Sequence, residues 1–113
     1  MVKIALLLFV VAALIGLTLV AKRLKNQNLP LGLALLHGAF AAAGLVVLII
    51  GTIQAGMWAT VTLPLILFVI AALGGFILFS FHLKDKILPV PLAAIHGLLA
   101  VAAFVVLLSR VIR

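Results

Sequence analysis

Four long runs of apolar residues, separated by short polar stretches, dominate the chain. The runs cover residues 4–21, 30–51, 64–81 and 89–109. Each is close to the roughly 20 residues that an α-helix needs to cross the hydrocarbon core of a bilayer. The stretches between them leave no room for a soluble domain. The pattern therefore predicts an all-α membrane protein, in which four transmembrane helices form one bundle and one membrane domain over residues 1–113.

The second half of the chain repeats the first. Residues 6–54 and 65–113 align as two copies displaced by 59 positions, and 13 of the 25 positions between 24–48 and 83–107 are identical. The alignment places His37 on His96. Since each copy holds two crossings, both enter the membrane from the same side, which predicts a parallel tandem duplication of a helical hairpin. Short turns make sequential helices antiparallel neighbours, related by a pseudo-two-fold axis along the membrane normal.

Prolines and an aromatic residue indicate where the apolar helices begin. We expect Pro30, Pro64 and Pro89 to start the second, third and fourth helices, because a first-turn residue needs no N–H partner. Trp58 is expected to be an interfacial anchor between the second and third runs. The first run has the position of a signal peptide, but its match to the third run indicates a structural helix.

Composition and charge agree with a membrane protein. The chain is 69% hydrophobic and 8% charged, with a mean hydropathy of +1.62, far more apolar than a soluble domain. Its net charge of +7 does not indicate nucleic acid, because the cations cluster at the ends of the apolar runs. Five lie on one face (Lys22, Arg23, Lys25, Lys84, Lys86) and three on the other (Lys3, Arg110, Arg113). This bias favours a multi-pass protein of a bacterial inner membrane, with both termini outside the cytoplasm.

The candidate chemistry lies in two intramembrane histidines. His37 is seven residues after Pro30, about 10 Å into the bundle, and the repeat puts His96 at the same depth. Gly16 and Gly75 reach the same layer from the preceding helices. Ionisable side chains in membranes usually face the bundle interior, so the pseudo-axis should bring the two imidazoles together. Cysteine chemistry is excluded, since the chain has none.

Two opposed imidazoles with small residues around them suit axial ligation of one b-type haem. We expect glycines to let the macrocycle approach the backbone, and the five cations of the basic face to contact propionates or lipid headgroups. The candidate close-approach positions are Gly16, Gly75, Gly38 and Gly97, with His37 and His96 as the iron ligands. The arrangement resembles that of membrane four-helix b-type cytochromes. The resemblance implies a single haem, because only His82 remains and it aligns with Arg23 at a helix end.

The leading hypothesis is a small haem b electron-transfer protein or subunit, without catalysis of its own beyond electron transfer. It would serve a quinone, a cytochrome or a larger membrane enzyme. The alternative is a cofactor-free accessory subunit of a respiratory-type membrane complex, in which the histidines only hydrogen-bond. A quinone or lipid site also stays open, since Leu33 and Leu92 precede the histidines by four residues as in a quinone-site pattern, although the following hydroxyl residue is missing.

Other classes fit less well. Two histidines without a nearby carboxylate or thiolate leave zinc short of ligands. The chain resembles the small multidrug resistance transporters in length and in its four crossings, but those depend on an intramembrane carboxylate, and the sole acidic residue here, Asp85, lies in a loop.

Overall fold

The computed structural model describes residues 1–112, and its regular secondary structure over that range is α-helix. The four helices are α1 (Val2–Leu24), α2 (Leu31–Ala55), α3 (Trp58–Leu83) and α4 (Val90–Val111). Each is long and apolar enough to span a membrane, so the prediction of four such helices is confirmed. Arg113, one of the three cations counted on the terminal face, lies outside the described residues.

The start of α3 differs from the sequence-based prediction. The helix begins at Trp58, and Pro64 lies inside it, so the prediction that Pro64 starts a helix was wrong. The N–H groups of Thr60 and Val61 both bond the carbonyl of Met57, which begins the helix before the apolar run. The hydroxyl of Thr62 bonds the carbonyl of Trp58 at 2.6 Å and so needs no water. The prediction from hydropathy missed this first turn of α3 because its threonines lower the mean hydropathy of the segment.

The helices form a bundle of 43 × 23 × 19 Å in which α1 and α2 make one hairpin and α3 and α4 make the other. Helices within a hairpin pack most closely, and the hairpins meet through α1 with α4 and α2 with α3. The diagonal pairs, α1 with α3 and α2 with α4, keep their Cα atoms more than 8 Å apart. Only side chains therefore meet across the centre.

The core consists largely of corresponding residues of the two hairpins. Phe9 of α1 stacks on Phe68 of α3, with ring centroids 4.1 Å apart and planes 10° from parallel. Leu48 and Leu107, one in each hairpin, are fully buried. These partners are each separated by 59 positions. Other large apolar side chains cover the outside of the bundle, among them Leu7, Phe76 and Leu98, each at least 66% exposed.

The two turns at the basic end also correspond. Asn26 and Asp85, 59 positions apart, both adopt a left-handed conformation with φ of 54°. Short polar side chains are the non-glycine residues that tolerate this conformation best. Gly56 takes the same region, at φ 63°, in the turn that joins the hairpins. Each of the three turns thus contains a residue that readily adopts the left-handed conformation in which helices commonly end.

Candidate cofactor site

His37 and His96 are each bonded to the partner helix of their own hairpin. Nδ1 of His37 on α2 lies 2.7 Å from the carbonyl oxygen of Ala12 on α1. Nδ1 of His96 on α4 lies 2.6 Å from the carbonyl oxygen of Ala71 on α3. A carbonyl oxygen can only accept, so Nδ1 carries the proton in both rings. These bonds join the two helices of each hairpin in an apolar layer.

The same bonds determine the state of the second ring nitrogen. A neutral imidazole protonated at Nδ1 presents a lone pair at Nε2. Among residues 1–112, the structure gives neither Nε2 atom a hydrogen-bond partner. A backbone carbonyl that holds Nδ1–H is the usual support for a histidine that ligates a metal through Nε2. Both histidines therefore have the tautomer and the support that a ligand requires.

Glycine makes the histidine position possible. A Cβ atom on Gly16 would lie 2.9 Å from Cε1 of His37, closer than side chains pack. A Cβ atom on Gly75 would lie 3.0 Å from Cε1 of His96. The imidazole of each hairpin therefore packs against Gly16 or Gly75 of the partner helix. Because the ring lies close to that helix, its Nδ1 reaches the carbonyl of the alanine one turn before the glycine. Their contact is with histidine, whereas the sequence led us to expect a macrocycle there.

The two imidazoles meet across the α2–α4 diagonal. Their ring centroids are 6.1 Å apart, and their planes are 82° from parallel. Both are half-buried. The Phe9–Phe68 stack crosses the other diagonal, and Phe9 is seven residues before Gly16, about 10 Å further from the basic face. The histidine layer is thus bounded on one side by a closed aromatic pair.

The other candidate glycines lie elsewhere. Within residues 1–112, no atom apart from the adjacent residues and the local helix backbone would lie within 4 Å of a Cβ atom on Gly38 or Gly97. These two residues follow the histidines directly and point about 100° away on the helix. The structure therefore places Gly16 and Gly75 beside the imidazole pair and places Gly38 and Gly97 away from other parts of the chain.

The cations of the basic face divide into two groups. Lys22 and Arg23 lie in the last turn of α1, whereas Lys25, Lys84 and Lys86 follow the ends of α1 and α3 and are exposed. Nε of Arg23 donates to the carbonyl of Leu88 at 2.7 Å, which ties α1 to the turn before α4. At the position that corresponds to Arg23, His82 stacks on Phe79 with centroids 6.2 Å apart. His82 thus remains apart from the imidazole pair.

A second polar arrangement occurs at the opposite end of the bundle. Proline has no N–H, so Pro64 leaves the carbonyl of Thr60 without its helical partner. The guanidinium of Arg110 on α4 donates to that carbonyl at 3.1 Å. This bond satisfies a part-buried backbone group that would otherwise lack its helical partner, and it fastens α4 to the start of α3.

Sequence reasoning missed three parts of this arrangement: the alanine carbonyls, the Phe9–Phe68 stack and the arginine bond to Thr60. The repeat alignment contains the signal for the stack, since Phe9 matches Phe68. The alanine carbonyls leave no trace in side-chain patterns, because any residue has a carbonyl. Groups of three or more histidine, cysteine or acidic side chains placed to hold a metal ion do not occur within residues 1–112.

No family model matches the chain, and no curated protein or solved structure is similar to it at a significant level.

Proposed function

We propose that the chain is an integral membrane protein with the basic turns in the cytoplasm and both termini outside, in a bacterial inner membrane. The outer surface supports lipid contact, since its exposed side chains are mainly Leu, Ile, Val and Phe. The five cations at one end support the orientation. A reporter inserted at Gln27 should behave as cytoplasmic, and one fused after the last residue as external. The reverse result would invert the topology.

Within that bundle, the proposed function is electron transfer through one b-type haem held by His37 and His96. The observation that carries this proposal is the pair of free Nε2 atoms on rings whose centroids are 6.1 Å apart. Imidazole–metal bonds of about 2 Å on either side of one iron would hold two ring centroids roughly 6 Å apart. The spacing is therefore suited to a shared iron, before any movement of the helices.

The residues of the site prepare the ligands. Ala12 and Ala71 hold each imidazole by its Nδ1–H, which orients the ring. Gly16 and Gly75 admit the rings. A bound haem would supply one-electron chemistry, with a potential set by the two neutral nitrogen ligands and the apolar surroundings. The protein contributes a fixed geometry of the two imidazoles.

A haem held by both imidazoles would need the space between α1 and α3. The Cα atoms of α1 and α3 stay more than 8 Å apart, so the gap between these helices contains side chains only. Phe9 and Phe68 limit its depth on one side. On the other side lies the basic face, where Lys22 is the nearest cation not engaged by the chain and suits a carboxylate such as a propionate.

The absorption spectrum tests the proposal. Protein from haem-replete cells, or apoprotein titrated with haemin, should give the split visible bands of a low-spin bis-histidine haem on reduction. His37→Ala and His96→Ala should each abolish these bands, and added imidazole should restore them by replacing the missing ligand. His82→Ala is the matched control and should keep the wild-type spectrum. A colourless protein with no spectral response to haemin would reject the proposal.

The alternative function is that of a cofactor-free accessory subunit in a larger membrane complex. The bonds to Ala12 and Ala71 favour it, because each imidazole already joins its hairpin without any ligand. In that case the histidine substitutions would lower the stability of the bundle or its assembly with partners, and no haem would be lost. Comparing haem content with the folded fraction of the same variants separates the two functions.

A further inference from the structure

The histidine layer is much closer to one end of the bundle than to the other. His37 lies six residues from the start of α2 and eighteen from its end. At 1.5 Å per residue, these separations are about 9 Å and about 27 Å. His96 lies six residues from the start of α4, at the same depth. Electron transfer slows steeply with distance, so a redox group in this layer exchanges electrons with a soluble partner through the basic end.

That end carries exposed positive charge beyond the helices. Lys25 and Lys84 are the residues that end α1 and α3, and Lys86 lies in the turn that follows α3. All three are exposed, and the sole acidic residue of the chain, Asp85, lies between the last two. These lysines thus lie past the ends of the apolar helices. Lys22 and Arg23 lie inside the last turn of α1 and are half-buried.

We propose that the exposed lysines of the basic face, Lys25, Lys84 and Lys86, form the docking surface for a soluble one-electron carrier with an acidic surface. The inference depends on the proposed haem function. Complementary charge would steer the carrier to the end of the bundle nearest the redox group and raise its association rate. The reaction moves one electron, which oxidises ferrous haem to ferric haem and reduces the carrier by one electron. No bond forms and no proton is required.

Small redox ions of opposite charge test this surface without a known partner. Reduced protein in an uncharged detergent is mixed with ferricyanide, a trianion, or with tris(phenanthroline)cobalt(III), a trication. Oxidation by ferricyanide should be fast at low ionic strength and should slow as salt is added, because salt screens the attraction. The triple variant Lys25→Glu, Lys84→Glu, Lys86→Glu should lower this rate per haem about tenfold and reverse the sign of its salt dependence. The cobalt complex should show the opposite pattern.

Lys3→Glu is the matched control, since Lys3 lies at the distant end. Lys3→Glu should leave the oxidation rates with ferricyanide and with the cobalt complex close to those of the wild type. The single variant Lys84→Glu, which changes the charge by the same amount, should alter both rates. Equal effects of Lys3→Glu and Lys84→Glu would overturn the inference, as would a ferricyanide rate that the triple variant leaves unchanged.

Two further outcomes have distinct meanings. If the triple variant loses bound phosphatidylglycerol in native mass spectrometry while its salt dependence stays that of the wild type, the lysines bind lipid headgroups and the inference is wrong. If the protein binds no haem, the proposed function fails and this inference fails with it. If the protein binds haem but its oxidation rate does not depend on the charge of the oxidant, the docking surface is rejected and the proposed haem function is not.

Discussion

The two hairpins share their centre and differ at particular positions near their ends. In the middle of the bundle, each has a histidine on a glycine, a bond from Nδ1 to an alanine carbonyl, and a phenylalanine in the central stack. At the ends, Arg23 has His82 as its counterpart, and Arg110 has Gly51. The shared part is the part that faces the other hairpin across the diagonals.

At the end of the bundle that contains the termini, the two hairpins hold their helices together by different contacts. In the first hairpin, a Cβ atom on Gly51 would lie 3.0 Å from Cβ of Met1, so α1 and α2 approach closely there. In the second hairpin, the corresponding place holds Arg110, and Pro64 frees the carbonyl that Arg110 bonds. Ala5, the counterpart of Pro64, keeps its N–H bonded to Met1. One hairpin thus uses close backbone packing where the other uses an arginine bond.

The largest expected effect tests whether the shared centre depends on glycine. Gly16→Leu and Gly75→Leu should each destabilise the bundle by about 3 kcal/mol, because the new side chain would displace an imidazole and break its bond to the alanine carbonyl. Unfolding in mixed micelles by dodecyl sulfate measures the loss. Gly38→Leu and Gly97→Leu are the controls and should cost far less, since nothing lies within 4 Å of their Cβ positions. Equal losses at all four glycines would mean that the histidine contact does not set the cost, since leucine is a better helix former than glycine at each of these positions.

A smaller effect should distinguish the hairpins at one core position. A Cβ atom on Gly44 would lie 2.8 Å from Cε1 of Phe9, whereas its counterpart Ala103 is accommodated and fully buried. Gly44→Ala should therefore destabilise the protein by about 1–2 kcal/mol, although alanine is the better helix former. Ala103→Gly should cost about 1 kcal/mol through propensity and lost packing. If Gly44→Ala stabilises the protein in the same unfolding assay, Phe9 can move and the two sites are equivalent.

The smallest expected effect concerns Pro64 and Arg110. Arg110→Met should cost about 1 kcal/mol, because the carbonyl of Thr60 would lose its donor. In a Pro64→Ala background the backbone N–H is restored, and the same substitution should cost much less. The four proteins form a double-mutant cycle, measured by the same unfolding assay. If Arg110→Met lowers the stability equally with proline or alanine at position 64, Arg110 stabilises the protein through contacts other than its bond to the carbonyl of Thr60.

The sequence was sufficient for the coarse architecture, because apolar run length follows directly from the thickness of a bilayer. It also indicated that His37 and His96 lie in the same layer, since depth follows from residue counts. It did not reveal which neighbour Gly16 would contact, because that depends on how α1 crosses α2. The start of α3 was missed for a different reason: Thr60 and Thr62 make that turn less apolar without making it less helical.

The histidine–alanine bonds have a consequence for assembly. Each bond lies within a hairpin, so a hairpin has its main polar contact before it meets the other one. The contacts between hairpins are of another kind: an aromatic stack, the opposed imidazoles and the bond from Arg23 to Leu88. A chain cut at the turn of Gly56 would therefore yield two self-contained halves. Expressed together, they should find each other in the membrane and rebuild the four-helix bundle as a complemented pair.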